Sequence, residues 1–142
     1  MALVKAVRDG NLSAVRSALA NGIDPNGLNE ALCSAAGKGH INIVKVLLAN
    51  GADVTADDNG ALWRAAVHGH VNTVKVLLAA GADVAAKDNY SLRSAARNGH
   101  VEVVKVLLVV GADVAARNNE ALRLAAENGH GEVVRILNLV ED

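Results

Sequence analysis

Four regularly spaced histidines are the first residues in this chain that could carry chemistry, because imidazole binds metal ions and transfers protons. His40, His70, His100 and His130 each follow a glycine and stand 30 residues apart. Successive members of such a series lie in different copies of a repeated unit, so they cannot converge on one tetrahedral ion. His68 is close to His70, but two ligands without a nearby cysteine or carboxylate pair form a poor zinc site. We therefore expect no bound metal.

Candidate catalytic residues are equally weak. The chain has no phosphate-binding Gly-x-x-x-x-Gly-Lys run. Cys33 could act as a nucleophile with His40 as its base, but no third group orients the imidazole, so a surface thiol is the better interpretation. Asp53, Asp83 and Asp113 recur with the same period and are interpreted as turn-forming residues. We expect no catalytic residues and no cofactor.

The histidine period belongs to a repeat that runs through the whole chain. Gly-Ala-Asp-Val recurs at 51–54, 81–84 and 111–114, and Val/Ile-x-x-Val-Lys/Arg-x-Leu follows most of the Gly-His pairs. A period between about 20 and 50 residues is typical of a solenoid, in which one unit cannot bury its apolar face alone. The repeat therefore predicts units stacked in a line.

Each repeat predicts two short helices joined by a tight turn. In one repeat the first helix covers Tyr90–Arg97 and the second covers Val101–Val109, with Gly99 in the left-handed conformation between them. Asn89 precedes the first helix and is predicted to be its N-cap. The same position is occupied by Asn29, Asn59 and Asn119. Alanine pairs such as 95–96 are predicted to face inward and to allow close helix contact.

Polar residues in otherwise apolar positions mark the two ends of the array. Ser17 stands where internal repeats have valine, and Asn138 stands where they have leucine. Terminal repeats need such residues because one of their faces meets water. We therefore predict one domain over 1–142, with an N-terminal cap at 1–21, internal repeats at 22–50, 51–80 and 81–110, and a C-terminal repeat and cap at 111–142.

Composition limits the compartment and the partners. The formal charge of −1 over 142 residues gives no reason to expect nucleic acid or an acidic membrane surface. The longest uncharged run, 65–74, is ten residues, and a membrane span needs about 20. Lys5, Arg8 and Asp9 interrupt the start, so we expect no secretory signal. Cys33 is the single cysteine, which fits a cytoplasmic location.

The segment from Ala95 to Ala116, AARNGHVEVVKVLLVVGADVAA, resembles the ankyrin repeat, and the match recurs over essentially the whole chain. The resemblance implies an all-α solenoid of five stacked helix pairs and a non-catalytic scaffold that binds a protein partner on its concave face. It also implies that the repeated histidine bonds to backbone groups between units. The family's usual period is 33 residues, so each loop here is three residues shorter. Whether a projecting β-hairpin remains is left open.

Variable residues within the repeat predict the binding surface. If positions 31, 32, 35 and 36 are buried, then 30, 33, 34, 37 and 38 form an outward stripe, and the same applies in later repeats. Trp63 is the strongest candidate for partner binding, because tryptophan, tyrosine and arginine dominate the binding energy at interface centres. Alternatively, Trp63 lies over the neighbouring helix and stiffens the stack. The predicted partner-binding residues are Cys33, Trp63, Arg64, Val67, Tyr90, Arg93, Arg97 and Arg123.

Three further interpretations remain open. Short-period arrays of this kind occur in some large DNA viruses and intracellular bacteria, so the partner could be a host protein in a host cell. The lysines and arginines of the first helices could instead bind nucleic acid, although acidic loop residues make an acidic protein segment the better fit. Val109 and Val110 could be exposed and mediate self-association. We expect a monomer, with a homodimer as the alternative.

Overall fold

Residues 2–140 are described by a computed structural model, and they form ten α-helices and no β-strand. The helices pair into five units, each with a first helix (α1, α3, α5, α7, α9) and a second helix (α2, α4, α6, α8, α10). Their bounds are α1 Ala2–Arg8, α2 Leu12–Ala20, α3 Pro25–Lys38, α4 Ile41–Ala49, α5 Ala56–Val67, α6 Val71–Ala79, α7 Ala86–Arg97, α8 Val101–Val109, α9 Ala116–Glu127 and α10 Gly131–Leu139. This arrangement confirms the all-α solenoid of five stacked helix pairs.

Small and branched apolar side chains form one continuous core along the stack. Leucines at equivalent positions of the internal units are fully buried on both layers: Leu32, Leu62, Leu92, Leu47, Leu77 and Leu107. Each such leucine contributes about 1.5–3 kcal/mol of transfer free energy. The paired alanines at 35–36, 65–66 and 95–96 are also fully buried. Because alanine is small, neighbouring first helices contact each other more extensively than neighbouring second helices do.

The last unit keeps apolar side chains that no further described unit covers. Ala126 is exposed, whereas its equivalents Ala36, Ala66 and Ala96 are fully buried. On the second-helix side, exposure is not confined to the last unit: Val109 and Val110 at the end of α8 are exposed, as are Leu139 and Val140 at the end of α10. The expectation that Val109 and Val110 reach the surface is therefore confirmed. None of the helices within residues 2–140 has the length and apolar character that crossing a bilayer requires.

A turn of left-handed backbone takes the position where a longer repeat would have a hairpin. Three consecutive residues with φ between 51° and 60° precede the right-handed part of α5, α7 and α9. They are Asp57–Asp58–Asn59, Lys87–Asp88–Asn89 and Arg117–Asn118–Asn119. Asparagine and aspartate tolerate this conformation better than most residues, which explains their abundance there. The predicted start of the first helix at Tyr90 agrees with this geometry, and no hairpin is present in residues 2–140.

Asn29, Asn59 and Asn89 each join two units through a side-chain hydrogen bond and do not cap their own helices. The Oδ1 atoms of Asn59 and Asn89 accept hydrogen bonds from the backbone N–H groups of Asp83 and Asp113, both at 2.8 Å. Both asparagine side chains are buried. The N-cap prediction is wrong for Asn59, Asn89 and Asn119, because a residue with φ near 60° cannot aim its side chain at the following turn as an extended N-cap does. It is also wrong for Asn29, which lies inside α3, where Asp24 is the N-cap.

The repeated histidines lie against the unit before them, and two of them form hydrogen bonds across that junction. The Nε2–H group of His70 donates to the Gly37 carbonyl at 3.0 Å, and that of His100 donates to the Val67 carbonyl at 2.8 Å. These bonds confirm, at two positions, the role that the family resemblance implies. The imidazole of His100 also lies against Gly69, where a Cβ atom would approach Nδ1 to 2.6 Å. A side chain at Gly69 is therefore excluded by the ring as well as by its φ of 76°.

Candidate functional site

The predicted outward stripe is partly covered by the neighbouring unit. Cys33 and Arg93 are each only 8% exposed, Trp63 is half-buried and Arg123 is exposed. These four residues occupy equivalent positions, which we call the junction column. The expectation that the column is exposed is wrong for Cys33 and Arg93, because the next first helix lies over it. Arg123 is exposed because no described unit follows it.

Arg93 is held in the stack by its own loop and by the next unit. Its Nη2 and Nε groups donate to the carbonyls of Lys87 at 2.9 Å and Asp88 at 3.0 Å, both in the left-handed turn. Its Nη1 group forms an ion pair with Glu120. The hydrogen bond from Arg93 lowers the pKa of the Glu120 carboxyl group. The Arg93 guanidinium therefore stabilises a strained turn and one junction between units.

Arg123 repeats half of this arrangement. Its Nε and Nη2 groups donate to the carbonyls of Asn118 at 3.2 Å and Arg117 at 3.3 Å. These longer bonds again engage a left-handed turn. Because Arg123 stays exposed, its guanidinium is also accessible from solvent.

The aromatic residues Trp63 and Tyr90 meet across the junction between the third and fourth units. Their rings pack edge to face with centroids 5.4 Å apart and an interplanar angle of 74°. The Arg64 guanidinium lies 4.3 Å from the Trp63 centroid, and the Arg93 guanidinium lies 5.2 Å from the Tyr90 centroid. The Lys87 ammonium reaches both rings, at 5.5 Å and 5.7 Å. The structure thus brings four of the predicted binding residues into one cation–aromatic cluster and adds Lys87.

The geometry of Trp63 supports a role in the stack. Its Nε1 atom is buried and finds no hydrogen-bond partner within residues 2–140. Its ring contacts Tyr90 of the following unit, as the alternative interpretation requires. Edge-to-face aromatic pairs contribute about 0.5–1.5 kcal/mol beyond the area they bury.

Val67 and Arg64 have partners within the protein. The Val67 carbonyl accepts hydrogen bonds from His100 and from the Asn98 amide at 3.2 Å, and its side chain is half-buried. Arg64 pairs with Asp57, its Nη1 atom lying 3.0 Å from Oδ2. Arg97, by contrast, is exposed and forms no ion pair in the described part of the chain. Of the predicted residues, Arg97 and Arg123 are the most accessible.

Sequence reasoning missed Asp57, Lys87 and Glu120. The signal that could have found Glu120 is an offset of 27 residues, which relates the junction column to the facing residue of the next unit. At that offset Trp63 faces Tyr90 and Arg93 faces Glu120, so the two pairs are visibly complementary. Lys87 and Asp57 could not be placed because the left-handed turn redirects their side chains.

A groove lies at the junction between the second and third units. Its volume is about 640 Å³, and it is lined by Asn26, Asn29, Glu30, Cys33, Ser34, Ala56, Asp57 and Arg64. Burial raises the pKa of the Cys33 thiol, so this group stays neutral near pH 7. The interpretation of Cys33 as a surface thiol is therefore wrong. No cluster of three or more histidine, cysteine or carboxylate side chains suited to a metal ion occurs within residues 2–140.

Comparison with known families agrees with the helical repeat. The family model described as ankyrin repeats (3 copies) matches residues 3–88 and again residues 89–140. A comparison with curated proteins gave no match. The two matched ranges cover nearly the whole chain, and the Gly-His turns and inter-unit histidine bonds lie within them. The chain therefore belongs to the ankyrin-repeat family.

Proposed function

We propose that this chain is a non-catalytic interaction domain that binds a protein partner on the face formed by its first helices and loops. Ankyrin repeats generally mediate protein–protein interaction, and solenoids use extended surfaces for this purpose. The observation that carries the proposal is the contrast between a constant core and variable side chains on this face. Leu62 and Leu92 are identical and buried, whereas Val67 and Arg97, at equivalent positions, differ in type and exposure.

The close contact between first helices favours this face as the concave one. Alanine pairs bring the first helices together, and the second helices, which carry valine and leucine, contact one another less. A stack with one tighter layer curves toward that layer. A partner on the concave face can contact several units at once, which increases the buried area for a given partner length.

The charge distribution favours an acidic segment of the partner. Lys87, Arg97 and Arg123 present exposed cationic groups in the second half of the face. The aromatic edge of Tyr90, which is half-buried, lies beside them. Arginine and tyrosine are among the residue types enriched at binding hot spots. We therefore assign direct contact to Tyr90, Arg97 and Arg123.

The remaining predicted residues have less direct roles in this proposal. Trp63, Arg64 and Val67 are half-buried and add their accessible parts to the surface. Arg93 positions the loop beneath Tyr90, since its guanidinium bonds to the carbonyls of Lys87 and Asp88. The single cysteine supports a reducing compartment such as the cytoplasm.

Quantitative affinity capture tests the proposal with matched variants. The double variant Arg97→Ala/Arg123→Ala removes two exposed cations from the first-helix face, and Lys45→Ala/Lys75→Ala removes two from the second-helix face. We expect the first double variant to capture at least about tenfold less partner than the wild type, since hot-spot arginines contribute about 2 kcal/mol each. Equal losses for both double variants would contradict the proposal. Capture dominated by nucleic acid that disappears as salt rises would favour the alternative.

A further inference from the structure

We propose that the groove between the second and third units is a binding pocket for a basic side chain, lysine or arginine, of the bound protein. This pocket depends on the proposed function, because the basic side chain belongs to the protein partner proposed there. The groove has a volume of about 640 Å³, within the usual range for ligand pockets of about 300–1,000 Å³.

The groove arises from the two residues that meet at this junction. At the next two junctions the facing pairs are Trp63 with Tyr90 and Arg93 with Glu120, and large side chains fill the space. The equivalent pair at the groove is Cys33 with Gly60. One residue has a small side chain and the other has none, so the groove is open at this junction.

Arg64 closes only one side of the groove. A Cβ atom on Gly60 would lie 2.2 Å from Nη1 of Arg64, so the guanidinium uses the space that a side chain at position 60 would take. Arg64 is also stacked at 4.3 Å on Trp63 and paired with Asp57 at 3.0 Å. These contacts fix the guanidinium at the groove's edge and neutralise it.

The charge that remains in the groove is negative. Glu30 is exposed and forms no ion pair within residues 2–140, and Asp57 is 64% exposed beside Arg64. Two carboxylates against one guanidinium leave one net negative charge, and the Cys33 thiol adds none. Asn26 and Ser34 supply further polar groups along the walls. A cationic guest gains charge-assisted hydrogen bonds there, whereas a carboxylate guest meets like charge.

A titration with small amides tests the pocket without the partner. The probes are N-acetyl-lysine methylamide and N-acetyl-arginine methylamide, compared with the neutral N-acetyl-glutamine and the acidic N-acetyl-glutamate analogues. Backbone amide shifts of the ¹⁵N-labelled chain report binding. We expect saturable shifts at Glu30, Cys33 and Gly60 with millimolar Kd for the basic probes only. Equal shifts with the neutral probe, or stronger shifts with the acidic one, would overturn the proposal.

Two variants locate the effect in the groove. Glu30→Gln removes the unpaired carboxylate and is expected to raise the Kd of the basic probes at least threefold. Glu127→Gln, an exposed carboxylate on α9 outside the groove, is expected to leave them unchanged. Equal weakening by both variants, or stronger weakening by Glu127→Gln than by Glu30→Gln, would contradict a binding site in the groove.

The double variant Cys33→Trp/Gly60→Tyr copies the aromatic pair of the next junction into the groove. We expect it to abolish probe binding while the helical circular dichroism spectrum is retained. If this variant does not fold, the Glu30→Gln titration still decides the question. Because the probes need no partner, absence of probe binding to the wild-type chain with intact partner capture rejects the pocket alone, and the reverse result rejects the proposed function alone.

Discussion

Asn89 shows how a single side chain connects two units of the stack. It lies in a left-handed turn of its own unit and accepts a hydrogen bond from the backbone of Asp113 in the next. A hydrogen bond of this kind contributes about 0.5–1.5 kcal/mol to the free energy of unfolding. The Asn89 side chain therefore contributes to stability as an acceptor as well as through its tolerance of positive φ.

Asn89→Ala and Asn119→Ala separate these two contributions. Both residues have φ of 60°, but Asn119 accepts no equivalent bond within residues 2–140. Because both variants lose the conformational preference and only one loses the acceptor, we expect Asn89→Ala to lower the free energy of unfolding by about 1 kcal/mol more. Urea unfolding measures both. Equal losses would show that the inter-unit bond contributes nothing measurable.

Cys33 is predicted to react slowly with alkylating reagents. Burial raises the pKa of its thiol, and the thiolate is the reactive form. We expect the iodoacetamide rate at pH 8 to be at least about tenfold below that of a Ser34→Cys thiol in a Cys33→Ser background. Ser34 is exposed one position further along the same helix and provides the matched control. A Cys33 rate equal to the control would contradict the buried position.

At the level of helices and turns, the tight turn after each of the first four first helices lies against the imidazole of the following unit, and the turn at Gly129 does not. Gly99 and Gly129 have nearly the same φ, 73° and 75°. A Cβ atom on Gly99 would lie 2.5 Å from Nδ1 of His130, whereas one on Gly129 would meet nothing within 4 Å. The two glycines therefore share a conformational requirement and differ in steric requirement.

Gly99→Ala is expected to destabilise the chain more than Gly129→Ala. Both substitutions force alanine into the left-handed region, at about 1–2 kcal/mol. Only Gly99→Ala also displaces a histidine ring, which adds about 1–3 kcal/mol of overpacking. Thermal unfolding of the two variants provides the measurement. Indistinguishable melting temperatures would refute the packing of histidine on glycine between units.

The ion pair between Arg93 and Glu120 makes one junction sensitive to acid. Hydrogen bonding from Arg93 holds the pKa of Glu120 below its ordinary value of 4.5 in the folded state. A carboxyl group with a depressed folded pKa contributes stability above its unfolded pKa and loses that contribution as the pH falls through the folded pKa. The stability that this carboxylate contributes is therefore lost at pH values below 4.5.

Glu120→Gln is expected to reduce the loss of stability in that range. The comparison is the difference in melting temperature between pH 6 and pH 3, with Glu127→Gln as the control for a carboxylate on the same helix. We expect a smaller difference for Glu120→Gln than for the wild type and for the control. A difference as large as the wild type's would mean that Glu120 is not coupled to folding.

For the molecule as a whole, the period and the apolar pattern were enough to predict the fold. Thirty-residue spacing, alanine pairs and Gly-His turns predicted five helix pairs, and the structure has them. The exposure of the junction column could not be predicted from one helix, because the next unit decides it. Cys33 and Arg93 were expected at the surface and are buried for this reason. The left-handed turn was also missed, since its residues only tolerate that conformation and do not require it.

The proposed pocket and the proposed contact residues carry opposite charge along the first-helix face. Glu30 and Asp57 lie toward the first half, and Lys87, Arg97 and Arg123 lie toward the second half. A partner segment that is basic at one end and acidic at the other matches this order. The proposed pocket and the proposed contact residues thus predict one orientation of the partner along the stack.

Site-specific photo-crosslinking tests most directly the claim that the partner occupies this face. p-Benzoylphenylalanine replaces Glu127 on the first-helix face, at the position equivalent to Arg97, or Lys75 on the second-helix face, and both replaced residues are exposed. After irradiation in cell lysate, adducts are identified by mass spectrometry. We predict a discrete protein adduct from position 127 that an excess of unlabelled wild-type chain suppresses, and none from position 75. A competable adduct from position 75 alone would contradict it.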